Sequence, residues 1–192
     1  MSEFWLYFKL GLEHVLDWQA YDHILFLIVL CAAYTFSAWK RLLLLVTLFT
    51  LGHTISLLMA NYSVVSVSAK WIEFLIPITI LIAAIFNLFT AGKEKKLEKL
   101  GLFYIVTVFF GLIHGFGFAS YYKMINDSNE MLPLLEFALG VEVAQIIVVL
   151  LVLIFAFICQ MIFRFNKRDW VLVVSSIVIG MVIPMIINNW IF

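Results

Sequence analysis

The sequence has little charge, little cysteine and little proline. Only 12% of its 192 residues are charged, against 65% that are hydrophobic, and it has two cysteines and three prolines. So much apolar surface cannot be buried inside a soluble domain of this length, which excludes that class. Cys31 and Cys159 both lie in the inner halves of apolar runs, a poor place for a disulfide, so we interpret them as packing residues.

Long apolar runs are what the chain has instead. Five runs are about 20 residues or longer, enough to cross a bilayer, and a sixth is shorter. Residues 1–20 mix charged side chains with Phe and Leu, which is typical of an amphipathic helix at the membrane interface. We therefore predict an all-α fold, one integral membrane domain over residues 1–192, in which this helix precedes a bundle of six transmembrane helices. The predicted spans are 22–36, 42–60, 71–90, 101–122, 133–163 and 170–191.

The basic residues predict the orientation in the bilayer. With six spans, alternate loops hold nine of the twelve Lys and Arg residues, and such loops face the cytoplasm. They are Lys40, Arg41, Lys93, Lys95, Lys96, Lys99, Arg164, Lys167 and Arg168. Both termini should then lie outside, in a periplasm if the cell has an outer membrane. Because the charge run at 92–99 is explained by topology, we expect no nucleic-acid partner.

Ionisable groups within the apolar runs are confined to the outer leaflet. At about 1.5 Å per residue, His53, His114 and Glu142 lie roughly 10–14 Å beneath the outer surface. The first span is too short for the hydrocarbon, which draws Asp22 and His23 toward the same layer. Each group alone has a simpler explanation, such as a helix cap or a hydrogen bond between helices. Together they indicate function, because each costs about 2.5–3.5 kcal/mol in hydrocarbon.

Imidazoles and carboxylates with no thiolate in their layer form a site for a divalent cation such as zinc, nickel or cobalt. We predict that the metal is held by His23, His53, His114, Asp22 and Glu142. Glycines around His114 permit close approach of another helix and leave room for a ligand; they are Gly111, Gly115 and Gly117. Five polar residues are assigned to the mouth of the site or to positions that support the ligands: His14, Glu73, Glu136, Gln145 and Ser56.

Four segments of the chain resemble the HupE/UreJ family. They are Tyr21-Asp22-His23, Gly52-His53-Thr54, Gly111-Leu112-Ile113-His114-Gly115 and Gly140-Val141-Glu142-Val143-Ala144-Gln145. The resemblance covers almost the whole chain and implies a nickel or cobalt permease of the bacterial inner membrane. The family's signature has a His five residues before an Asp-His pair and a His-Gly segment in a later helix. Here seven residues separate His14 from Asp22, which departs from that signature.

Transport is the function that the resemblance implies, and two alternatives stay open. A translocation path needs polar groups at successive depths, yet the inner halves of the spans offer only Thr47, Thr50, Asn87, Thr90 and Thr107. A zinc-dependent intramembrane hydrolase acting on a lipid or lipidated substrate would need only the outer site. Its metal would lower the pKa of a bound water, and Glu142 or Asp22 would be the base. The third candidate is a non-enzymatic metal-sensing or assembly protein.

Overall fold

The computed structural model describes residues 3–93, 100–126 and 130–191. Within these residues the chain forms seven α-helices and one short 3-10 helix, and it has no β-strand. The α-helices are α1 (Glu3–Leu16), α2 (Asp22–Ala32), α3 (Trp39–Asn61), α4 (Ala69–Thr90), α5 (Leu100–Ile125), α6 (Met131–Met161) and α7 (Lys167–Asn188). The predicted all-α class is therefore confirmed.

Helices α3 to α7 are long and apolar enough to cross a membrane. Their outward faces carry large hydrophobic side chains, among them Phe89, Ile105 and Met161, which are 72%, 68% and 65% exposed. Contiguous apolar surface of this kind is covered by lipid in a membrane protein and would drive aggregation in water. The protein is a polytopic membrane helix bundle.

Helix α2, at the first predicted span (22–36), is shorter than we expected. It has 11 residues, about 16 Å of helix against about 30 Å of hydrocarbon. It ends at Ala32 instead of continuing to residue 36, and the 3-10 turn Phe36–Ala38 leads directly into α3. Five helices, not six, therefore have the length of a full span. Since most residues of α2 are buried, the neighbouring helices enclose it, with Asp22 and His23 at its first turn.

Helix α1 is docked on the bundle by a pair of glycines. A Cβ atom added to Gly11 would collide with the carbonyl oxygen of Phe137 on α6, and one added to Gly140 would collide with that of Phe8 on α1. The two backbones therefore touch, and α1 buries Tyr7 and Val15 against the other helices. This contact brings the carboxyl end of α1, where His14 lies, to the centre of the bundle.

Helices α3 and α5 make a second glycine contact. A Cβ atom at Gly111 would collide with the carbonyl oxygen of Phe49, and one at Gly115 with that of His53. The predicted close approach of a helix at these two glycines is confirmed. Gly117 differs, because its added Cβ would meet the flexible end of the Ile76 side chain, at 2.8 Å. The α3–α5 contact fixes the relative heights of His53 and His114.

Candidate metal site

The four histidines of the chain meet in one cluster, although they come from α1, α2, α3 and α5. The ring of His23 is central. Its centroid lies 4.6 Å from that of His14, 5.7 Å from that of His53 and 5.1 Å from that of His114. The rings of His14 and His53 are 5.4 Å apart. His23, His53 and His114 are 3%, 1% and 1% exposed, so these three rings are buried within the bundle, whereas His14 is half-buried.

Each imidazole in the cluster has a buried nitrogen with no hydrogen-bond partner among the described residues. These atoms are His14 Nε2, His23 Nε2, His53 Nε2 and His114 Nδ1. A buried polar atom without a partner costs about 1–3 kcal/mol. Four of them within one cluster indicate that a further group satisfies them. Since imidazole nitrogen is a common metal ligand, the donor set fits a divalent transition metal.

Asp22 fixes the orientation of the central ring. Its Oδ1 accepts a hydrogen bond from the backbone N–H of His23, at 2.9 Å, and pairs with His23 Nδ1, at 3.1 Å. A proton on Nδ1 directed at the carboxylate leaves the lone pair of Nε2 free to bind a metal. This carboxylate–histidine pairing is the usual support of a metal-bound imidazole.

Thr79 on α4 does the same for His114, and sequence reasoning missed it. The Thr79 hydroxyl donates to the carbonyl of Ile76, at 2.7 Å, and its oxygen lies 3.3 Å from His114 Nε2. Because the hydroxyl proton is used, the oxygen accepts from Nε2–H, which leaves the Nδ1 lone pair of His114 free. The sequence could not predict this contact, because a single threonine in an apolar run is common and spacing along the chain does not show which residues of α4 and α5 face each other.

Two groups of three residues bring their ligand atoms within 4.8 Å of one another. The first is His14, His23 and His53, and the second is Asp22, His23 and His114. Two ligands at about 2.0–2.1 Å from a tetrahedral zinc ion are about 3.4 Å apart, so atoms separated by as much as 4.8 Å would approach each other by up to about 1.4 Å on metal binding. Neither group contains both His53 and His114. The two groups share His23.

Glu142, predicted as a ligand, lies in a different polar cluster. Its carboxylate accepts hydrogen bonds from Thr47, at 2.6 Å, and from Thr50, at 2.5 Å. Thr50 also bonds to Gln145, at 3.2 Å. We call these four residues the Glu142 cluster. Neither group of potential metal ligands includes Glu142, so the structure does not bring it together with the imidazoles.

Helical spacing gives a partial signal of the Glu142 cluster, because it places the polar residues of each helix on one face. Thr47 and Thr50 are three residues apart on α3, and Glu142 and Gln145 are three apart on α6, so each pair lies on one helix face. Along α3 the two threonines precede His53 by six and three residues. The two threonines are therefore about 4.5–9 Å farther than His53 from the carboxyl end of α3.

The remaining predicted residues have separate positions. Glu73 lines the cavity that leads to the imidazoles, as expected for the mouth. Ser56 is fully buried and donates to the carbonyl of His53, at 2.8 Å. Glu136 is buried outside that cavity, with one carboxylate oxygen lacking a partner among the described residues. His14, which we placed at the mouth or behind the ligands, lies among the imidazoles.

A cavity of about 830 Å³ opens onto the cluster and is lined by both His23 and His114. Among the described residues, its walls carry four acidic side chains and no Lys or Arg. The acids are Glu13, Asp17, Asp22 and Glu73. A cleft lined by charges of one sign raises the local concentration of ions of the opposite sign. The cavity is therefore an entrance suited to cations.

Fold and site together define a polytopic helical membrane protein with a buried imidazole cluster at the end of an acidic cavity. The chain belongs to the HupE/UreJ family: the family model described as HupE / UreJ protein matches residues 1–191. This confirms the resemblance noted in the sequence, and the family is associated with nickel and cobalt transport. No curated protein and no solved structure matches the chain.

Proposed function

We propose that the protein is a permease for a divalent transition-metal cation, nickel or cobalt. The cation enters through the acidic cavity and binds at the imidazole cluster. The observation that carries this proposal is the cluster of four imidazoles, each with a buried nitrogen that has no hydrogen-bond partner among the described residues. Three of these imidazoles, those of His14, His23 and His114, line the cavity. Nitrogen ligands of intermediate softness suit nickel, cobalt and zinc alike. The choice of nickel or cobalt rests on the family.

The Glu142 cluster supports an inward step from the imidazoles. Its carboxylate, hydroxyl and amide oxygens are cation ligands, and it lies deeper than His53. Beside His114, by contrast, the stacked rings of Phe26 and Phe49, 4.7 Å apart, offer no ligand atoms. We therefore infer that the cation follows the α3–α6 side of the bundle.

Asn87 and Thr90, which we expected near the inner end of the path, are less suitable. Asn87 Nδ2 donates to the carbonyl of Val29, at 2.7 Å, and the Thr90 hydroxyl donates to that of Phe86, also at 2.7 Å. Both groups satisfy backbone atoms. Glu142 is the better residue with which to test transport.

The proposed location is the cytoplasmic membrane of a bacterium, with both termini outside. Under this orientation the acidic cavity faces the periplasm or the medium, and the basic ends of α3 and α7 face the cytoplasm, in agreement with the positive-inside rule. Cation uptake would then begin at the negatively charged side.

The test uses purified protein in sealed vesicles that contain a Ni²⁺-sensitive dye. Wild-type protein should admit Ni²⁺ down its gradient. Glu142→Gln should slow this flux by about tenfold or more, as expected when a charged ligand on an ion path is lost, and should leave equilibrium binding at the imidazoles nearly unchanged. Thr54→Val is the control: it lies beside His53 on α3, but its hydroxyl bonds only the Thr50 carbonyl, so flux should be retained.

A metal-dependent hydrolase is the alternative, favoured by one observation. The cavity has room for a lipid-like substrate, and its apolar wall, which includes Leu16, Ile76 and Phe118, adjoins three imidazoles and the Asp22 carboxylate. Asp22 would then be the base, since Glu142 lies elsewhere. Vesicles with folded, metal-loaded protein that show no Ni²⁺ flux under any gradient would refute the permease and favour this alternative.

A further inference from the structure

A second polar cavity lies at the opposite end of the bundle from the histidines. It has a volume of about 420 Å³ and is formed where the α2–α3 connection, the end of α4 and the start of α7 meet. Four cationic side chains line it, namely Arg41, Lys93, Lys167 and Arg168. Among the described residues that line it there is no Asp or Glu. We call it the basic pocket.

The cations of the basic pocket are not neutralised by described carboxylates. Among the described residues the ion pairs are Lys9 with Glu13 and His23 with Asp22, both elsewhere. Asp169, which follows Arg168 in the sequence, accepts a hydrogen bond from Asn166, at 3.3 Å. Residues 94–99 lie outside the described residues, and their sequence has three lysines and two glutamates. Four like charges around one cavity repel one another unless an anion binds between them.

Neutral donors surround the same cavity. The hydroxyls of Thr35 and Ser37 bond each other at 2.9 Å, and both residues line the pocket together with Tyr34. The amino terminus of α7, 22 residues long, also lies there, and its N-cap residue Asn166 makes no side-chain capping bond. Uncapped N–H groups and the positive end of the helix dipole favour an anion.

The turn at Gly92 shapes this pocket. Gly92 has a left-handed backbone conformation, with φ of 78°. A Cβ atom there would lie 3.0 Å from Cδ of Arg168. Glycine therefore allows the α4 end and the Arg168 side chain to pack together. The end of α4 and the start of α7, which both carry cationic side chains, can therefore line the same cavity.

The pocket lies at the depth of lipid headgroups. Exposed aromatic side chains flank it in sequence on both sides: Phe36 and Trp39 are 41% and 56% exposed, and Phe163 and Phe165 are 64% and 46% exposed. Of these, Trp39 is of the type enriched at the boundary between hydrocarbon and water, and the basic residues Lys40 and Arg41 follow it directly. An anion held here lies beside the phosphates of the bilayer.

We propose that the basic pocket binds the phosphate of an anionic phospholipid in the leaflet on this side of the membrane. Basic pockets between transmembrane helices recognise such headgroups, and arginine binds phosphate through two parallel hydrogen bonds. The bound lipid would tie α3, α4 and α7 together at one end. The pocket is unsuited to a metal cation, so this role is separate from the permease.

The test is native mass spectrometry of the full-length protein with mixtures of phosphatidylglycerol and phosphatidylcholine. Wild-type protein should retain phosphatidylglycerol preferentially. The double variant R41Q/R168Q should weaken that preference by roughly tenfold or more, because two phosphate-binding charges are removed. The matched control K40Q/R164Q removes two exposed charges from the same end but outside the pocket, and its preference should stay within about twofold of wild type.

Three results would overturn the proposal. They are the absence of a preference in wild-type protein, an equal loss in the control variant, and displacement of the lipid by inorganic phosphate or glycerol 3-phosphate at millimolar concentration. The last would assign the pocket to a soluble phosphate compound. If R41Q/R168Q fails to fold, Lys167→Gln serves instead, because Lys167 is exposed and lines the pocket. Its expected loss is about three- to fivefold, and no loss would equally refute the proposal.

Discussion

At the scale of single residues, the main result is the position of His14. Its ring contacts those of both His23 and His53, and its Nε2 has no partner among the described residues. The unusual spacing before Asp22 suggested a peripheral role. The short connection between α1 and α2 accommodates the two extra residues, so spacing along the chain did not decide whether the ring reaches the cluster.

His14→Ala should therefore weaken metal binding as strongly as His53→Ala, since both rings belong to the same group of three. We expect each variant to lower the affinity for Ni²⁺ by about 100-fold, within the range that altered metal sites show. Isothermal titration of the purified protein measures this. Thr54→Ala, one residue from His53, is the control and should bind normally. If His14→Ala lowers the affinity for Ni²⁺ by less than about threefold, His14 is not a ligand and lies at the mouth of the site.

Asp22 has a more limited role than the sequence suggested. Its carboxylate is bonded to His23 through both the ring and the backbone, which suits an orienting group for the first set of three residues. It remains a potential ligand only in the second set, with His23 and His114. Asp22 can thus orient His23 for a metal bound by His14, His23 and His53, or it can bind a metal directly together with His23 and His114.

At the scale of helices, small residues set the distances on which the site depends. Gly111 and Gly115 let α5 touch the backbone of α3, and Gly11 and Gly140 do the same for α1 and α6. Association of helices in a bilayer depends on such packing, because lipid provides no hydrophobic force between them. Replacing any of these glycines with a larger residue would push two helices apart. The α3–α5 pair carries His53 and His114, and the α1–α6 pair carries His14 and Glu142.

Gly111→Ala should destabilise the protein by about 1–3 kcal/mol, the usual cost of overpacking a close contact. Gly180→Ala is the matched control, since Gly180 lies inside α7 and an added Cβ would meet nothing within 4 Å. That change should be neutral or stabilising by up to about 1 kcal/mol, because alanine favours the helix. Thermal unfolding in detergent measures both. Equal stability of the two variants would contradict the close α3–α5 contact.

At the scale of the whole molecule, charge separates along the bundle axis. The acidic cavity lies at the end with the histidines, and the basic pocket lies at the other end. The charge asymmetry that predicts the orientation in the membrane would therefore also provide the proposed entrance for cations and the proposed binding site for anions.

Cysteine labelling of intact cells should confirm the proposed orientation. With Cys31 and Cys159 buried, a cysteine introduced at Lys70, in the first turn of α4, should react with an impermeant reagent. One introduced at Lys93 or Lys95 should react only after the cells are opened, because the basic loops face the cytoplasm. Reaction at Lys95 from outside would reverse the orientation and place the acidic cavity on the cytoplasmic side.

The sequence by itself determined that this is a helical membrane protein. It also predicted the number of long apolar helices to within one helix, and the end of the bundle at which the histidines gather. These features depend on the lengths of apolar runs and on the order of charges, which are properties of the chain read in one dimension. Residue counting also gives approximate depth, because each helical residue adds about 1.5 Å.

Only the tertiary structure decided which polar groups meet. Depth leaves open the direction in which a side chain points around its helix, and helix packing sets that direction. Glu142 was counted into the layer of the histidines, yet α6 directs it to Thr47 and Thr50. His14 was counted out, yet the Gly11–Gly140 contact brings α1 against the bundle and its ring to His23.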